Sequence, residues 1–117
     1  MNYKFPKSEK LRLKKDIEKI FAEGLSDFKY PLVLKHISFE GEGTNLCAVS
    51  VPKKRFKKAV DRNKLKRQIR EAYRLNKHCI QSKHQYFHLM FVYSNNEKLE
   101  YKIIENAMQK LLNNIMK

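Results

Sequence analysis

Apolar and polar positions repeat along this chain with two periods, and each change of period marks an element. From Lys14 onward, Ile17, Ile20 and Phe21 fall on one side of a helical repeat, with Asp16 in the first turn. Gly24 is placed to stop that helix in the left-handed conformation. Residues 25–29 carry no period and read as a loop. Residues 30–39 form a strand with Leu32, Val33, Leu34, Ile37 and Phe39. The cluster Glu40-Gly41-Glu42-Gly43-Thr44-Asn45 reads as a hairpin turn. Residues 46–51, almost wholly apolar, return as a strand expected to be central in the sheet. A second helix uses Leu65, Ile69, Ala72 and Tyr73 as its apolar side and runs to about Lys77. A polar linker at 79–85 leads into residues 86–94, the most apolar run, a strand covered on both faces. Asn95-Asn96 breaks it, and residues 99–115 close the chain as an amphipathic helix with Ile104, Ala107, Met108, Leu111 and Ile115 inward. The order is α-β-β-α-β-α with room for one more short strand. That is an α+β sandwich: a single domain over 1–117, three to four strands with helices packed on them. Residues 1–10, with Tyr3, Phe5 and Pro6 among lysines, form an extended basic arm.

A chain of 117 residues supports one core, and 42% apolar residues with 13 aromatics exclude a disordered polymer. Net charge changes the picture. At +14 the chain calls for a polyanionic partner, nucleic acid or, in competition, an acidic membrane surface. No apolar run approaches the roughly 18 residues of a membrane span, and no apolar segment follows a basic N-terminus. The expectation is a cytoplasmic protein without membrane contact, its Cys47 and Cys79 free reduced thiols.

The charge is concentrated. Residues 53–74 hold eleven Lys and Arg against Asp61 and Glu71, nine of the fourteen net positive charges. Asn63, Lys66, Arg67, Arg70, Arg74 and Lys77 project onto one contiguous helix face. Like charges at helical spacing repel by a few tenths of a kcal/mol per pair, so such a row calls for a neutralising partner. Guanidinium groups match phosphate, which points to nucleic acid. RNA or DNA is left open by charge alone, although neither a zinc-ligand spacing nor a zipper is present. His84 and His88 are too far apart in a strand to share a metal, and His36 is alone, so no protein-bound metal is assigned. Carboxylates are scattered, with neither a phosphate loop nor a nucleophile–base pair, so no residue is assigned a catalytic role.

One string is more specific than its charge. Ala59-Val60-Asp61-Arg62-Asn63-Lys64-Leu65-Lys66-Arg67-Gln68-Ile69-Arg70-Glu71, behind Ser50-Val51-Pro52-Lys53-Lys54, closely resembles the Arg-Asn signature of the bacterial ribonuclease P protein component. That pattern is roughly A-V-x-R-N-x-x-K-R-x-x-R-E behind a strand ending S-V-x-K-K. Leu11, Asp16, Ile20-Phe21, Gly24 and the closing helix match as well, so the resemblance covers roughly residues 11–115. It implies an unusual left-handed β-α-β crossover, against the general right-handed rule. It implies that Lys53, Lys54, Arg55, Lys58, Arg62, Asn63, Lys66, Arg67, Arg70 and Arg74 dock on the catalytic RNA subunit. Ile17, Phe21, Val33, Lys35 and Ser50 would line a groove for the 5′ leader of precursor tRNA. The RNA subunit would do the chemistry and hold most of the Mg²⁺, and no protein partner would be required.

The chain departs from the family at several positions. Ile17 stands where the first aromatic is usual and Lys35 where the strand often carries Tyr, which shifts the groove from stacking toward apolar and electrostatic contact. Ile17 and Phe21 read equally well as core. Asn63 reads as an RNA contact or a helix cap. Arg55-Phe56-Lys57-Lys58 replaces a common Gly and is one residue longer, leaving Phe56 as either an extra stacking group or a plug beneath the helix. Two rival functions remain: a ribosomal or ribosome-assembly RNA-binding protein, and a self-sufficient nuclease.

Overall fold

The computed structural model describes residues 4–116. In chain order it has a 3-10 turn at Lys7–Glu9, α1 (Lys14–Glu23), β1 (Leu25–Lys29), β2 (Leu32–Glu40) and β3 (Leu46–Ser50). Then come α2 (Ala59–Asn76), a 3-10 turn at Lys77–Ile80, β4 (Gln85–Tyr93) and α3 (Tyr101–Ile115). The sheet order is β1-β2-β4-β3, antiparallel except for the parallel β3–β4 pair joined through α2.

Alternation along β4 sets the layers. Phe87, Leu89, Phe91 and Tyr93 turn to one face, where they meet Leu32, Leu34 and Cys47 under the apolar sides of α2 and α3. Met90 and Val92 turn to the other face, where Leu11, Ile17 and Ile20 form a smaller core. On that second face α1 lies over β2 and β4. Each fully buried Leu or Phe adds about 1.5–3 kcal/mol, so the α2–α3 side carries most of the stability.

Four expectations are corrected. Residues 25–29 are not a loop but β1, held by its ladder to β2 across a turn containing the cis Tyr30-Pro31 bond. Its side chains are mostly exposed, so the strand has no apolar face for periodicity to detect. Residues 40–45 do not close a hairpin, because β4 inserts between β2 and β3. Gly41 makes the turn at φ 94°, and the Asn45 amide ties the connection to β4 by accepting from the Phe87 N–H at 2.8 Å. β3 is an edge strand rather than a central one. Its apolar character is explained by the N-terminal segment along its outer side, where Lys10 bridges Cys47 and the Leu11 N–H donates to the Cys47 carbonyl at 2.9 Å. Gly24 is extended (φ −75°, ψ 160°) rather than left-handed. Glycine is required there by close approach, since a Cβ would lie 2.4 Å from the Ile20 carbonyl oxygen and 2.9 Å from that of His36.

Of the N-terminal arm, residues 1–3 lie outside the described residues. Residues 4–10 run along the body, with the Phe5 ring 5.2 Å from that of Tyr73. The 79–85 linker is only partly polar, since Ile80 is fully buried.

Candidate nucleic-acid interface

α2 buries Leu65, Ile69, Ala72 and Tyr73 against the sheet and α3. Its reverse side presents Asn63, Arg67 and Arg70 exposed, with Lys66 half-exposed beside them. Lys58 occupies the N-cap without a side-chain cap bond, so Asn63 is not a cap. Asp61 in the first turn favours the positive end of the helix dipole and pairs with Lys98 at 3.1 Å. Before the helix, Lys53, Lys54 and Lys58 are exposed, and Arg55 donates to Asn96 Oδ1 at 3.0 Å. Phe56 is the plug: it is buried, with its ring 5.9 Å from Tyr93.

Three of the cations expected at this surface have partners within the chain. Arg62 Nη1 donates to the carbonyls of Phe56 and Lys57, both at 2.8 Å, and so pins the 52–58 connection. Arg74 donates to Glu71 through Nε at 3.1 Å and also through Nη2. That bond holds the Glu71 carboxyl below, and the Arg74 guanidinium above, their ordinary pKa ranges. Lys77 does not belong to the outward face. It is buried, with its Nζ 2.7 Å from Glu9 Oε1 and donating to the Lys4 carbonyl.

The second candidate surface lies where α1 leaves the sheet uncovered. Phe21, Val33, Lys35 and Ser50 line one cleft of about 370 Å³, with Lys54 and Arg55 at its rim. The Lys35 ammonium sits 5.5 Å from the Phe21 ring centroid and bonds Ser26 Oγ at 3.0 Å. Ile17 is not in this cleft. It packs with Leu11, Ile20 and Met90 and lines a second cavity of about 440 Å³ with Arg12 and Arg70. The two cavities rest on neighbouring rows of one sheet face, Ser50–Val92 and Ala48–Met90. Phe28, Ala48 and Val92 face this side too, and the sequence alone does not mark them, because β1 has no period of its own and the other two lie in largely apolar strands.

Cys47 and Cys79 are free, and burial pushes the Cys47 thiol well up, away from a thiolate. His36 Nε2 bonds Asp27 Oδ2 at 3.1 Å across β1 and β2. His88 sits against the Phe39 ring at 4.7 Å, and burial lowers its pKa. Among the described residues no helix is long and apolar enough to cross a membrane.

The sequence pattern of the Ribonuclease P family matches residues 5–116. The ribonuclease P protein component of Porphyromonas gingivalis is 41% identical over 112 residues, covering 91% of this chain and 82% of that one. That of Clostridium botulinum is 36% identical over 108 residues, covering 91% and 93%. Among solved structures, the ribonuclease P protein from Thermotoga maritima aligns with a TM-score of 0.75 at 29% identity, over 91% of this chain and 96% of that one. The Staphylococcus aureus protein gives 0.73 at 23%, over 95% and 97%, a likeness of fold. With the Arg-Asn string on the exposed side of α2 and the family pattern spanning the described chain, this protein belongs to the ribonuclease P protein component family.

Proposed function

We propose that this chain is the protein subunit of a ribonuclease P, a cytoplasmic ribonucleoprotein that removes the 5′ leader of precursor tRNA while its RNA subunit performs the chemistry. The observation that carries this is the outward row Asn63, Lys66, Arg67 and Arg70, backed by a fully buried apolar side. Such a row neutralises the phosphates of a folded RNA and releases its counterions. The cleft at Phe21, Val33, Lys35 and Ser50 takes the unpaired leader, so that precursor is bound in preference to mature tRNA. Mg²⁺ belongs to the RNA subunit in this scheme. The two carboxylates of α2, Asp61 and Glu71, are each paired with a cation and do not fit a divalent ion's oxygen set.

Reconstitution tests the proposal. Precursor tRNA and Mg²⁺ are incubated with the protein, with the catalytic RNA, and with both. The expected outcome is no cleavage by protein alone and faster leader removal by the pair than by RNA alone. Cleavage by protein alone makes the chain a nuclease in its own right. An unaltered rate with both makes it a binder of some other RNA.

A further inference from the structure

Stacking an unpaired base requires an exposed ring on the floor or rim of a positive groove. At the cleft, position 35 is Lys and Phe21 is 54% exposed, while position 17, in the neighbouring cavity, is Ile. Strand register supplies a second ring. Phe28 pairs with Val33, Val33 with Val92, and Val92 with Ser50, so one row of side chains crosses all four strands on the face that α1 covers only in part. Val33, Val92 and Ser50 of that row line the cleft. Phe28 stands at the row's end on β1, 63% exposed, so its ring is open to solvent on the groove face. Three strand spacings make the row about 14 Å long, room for more than one nucleotide. Lys35 lies in the adjacent row beside Phe21 and bonds Ser26 on β1. Its ammonium is thus held on the groove where the phosphate between two stacked bases would pass, and Lys54 and Arg55 mark the opposite rim.

We propose that Phe28 is the second base-stacking ring of this groove, so that unpaired leader RNA crosses the sheet from the Lys54 side over Ser50, Val92 and Val33 to β1. This rests on the cleft being the leader site, and the test separates the two. Holoenzyme is assembled with Phe28→Ala, Phe28→Trp and Phe21→Ala proteins. Affinity is then measured for precursor tRNA with a long leader, for precursor with a single-nucleotide leader, and for mature tRNA. Phe28→Ala is expected to weaken the long-leader precursor at least about fivefold, leave mature tRNA unchanged, and be rescued by Trp. Little effect on the single-nucleotide leader is also expected, since Phe28 lies at the far end of the row. If Phe21→Ala narrows the precursor–mature gap and Phe28→Ala does not, Phe28 does not stack and the cleft assignment survives. If neither narrows it, the cleft assignment fails and takes this one with it. If Phe28→Ala weakens all three RNAs equally, or turns a self-associated protein into a monomer, the ring serves the fold or a second copy instead, and the proposal is overturned.

Discussion

Arg67 and Lys77 project onto the same side of an ideal helix, yet they do opposite work. Arg67 is solvent-exposed, whereas Lys77 is 3% exposed and ion-paired to Glu9 of the N-terminal segment. What covers each side chain makes the difference. α2 ends at Asn76, whose amide donates back to the Ala72 carbonyl at 2.8 Å, and Lys77 begins a 3-10 turn. There the N-terminal segment lies over it, with Glu9 and the Lys4 carbonyl taking its ammonium. The middle of α2 thus leaves its charge exposed, while at its two ends Arg62, Arg74 and Lys77 have partners within the chain. Net charge is an upper bound on what an interface can use.

The contrast breaks most severely at Lys77. Lys77→Met leaves Glu9 facing a partly buried site without its cation and should cost about 3 kcal/mol in urea denaturation. The salt slope of RNA binding by the folded fraction should not move. Adding Glu9→Gln should restore part of the lost stability, as expected when the penalty is an uncompensated charge. A reduced salt slope in Lys77→Met would place this end of α2 on the RNA after all.

Next in size is the reverse experiment in the outward row. Arg67→Ala with Arg70→Ala should lower affinity for the catalytic RNA about tenfold at moderate salt and flatten the log–log salt slope by about 2. Stability should stay within about 0.5 kcal/mol of wild type, because both side chains are exposed and repulsion along the helix is relieved. An unchanged slope removes this face from the interface.

How much of this was legible in the chain follows the range of the forces involved. α2, β4 and α3 were readable because each carries its own apolar period over many residues. β1 was not, since Leu25-Ser26-Asp27-Phe28-Lys29 has mixed polarity on both faces and exists only because β2 offers it a ladder. Composition does not place β3, because an apolar strand can be covered at its edge as well as from its faces, here by Lys10 and Leu11. At the site, Phe21, Val33, Lys35 and Ser50, which the resemblance implies, share one cleft, while Ile17 sits in the neighbouring cavity. Phe28 left no signal, because a residue in a supposed loop has no face to be assigned to. Which cations were internal was unreadable too: Glu9 and Lys77 lie 68 residues apart.

A smaller effect is expected where charge and geometry can be separated on one side chain. Arg62→Lys keeps the charge but loses the guanidinium fork, whose Nη1 bonds both the Phe56 and Lys57 carbonyls. The 52–58 connection should loosen, at about 1 kcal/mol of stability. Hydrogen exchange should rise at the Arg55 and Phe56 amides, which donate to the Pro52 carbonyl. If stability holds and RNA affinity falls instead, the fork is used on phosphate and Arg62 belongs with Arg67.

The smallest effect decides where Arg74 belongs. Its hydrogen bond lowers the pKa of Glu71 in the folded state. A lowered carboxylate pKa contributes stability that is present above the unfolded value and lost as pH falls through the folded one. Wild type should thus exceed Glu71→Gln at neutral pH by only about 1–2 °C in Tm, given the exposure of the pair, and the gap should close in acid. RNA binding carries the sharper information. If the carboxylate merely neutralises Arg74, Glu71→Gln adds one unit of positive charge to the α2 surface, and binding tightens slightly with a steeper salt slope. If instead the Nε and Nη2 bonds aim the guanidinium at a phosphate, the same change weakens binding, because Gln cannot hold both donors in one plane. The sign of that one change assigns Arg74 to the cations that hold the fold or to those that face the RNA.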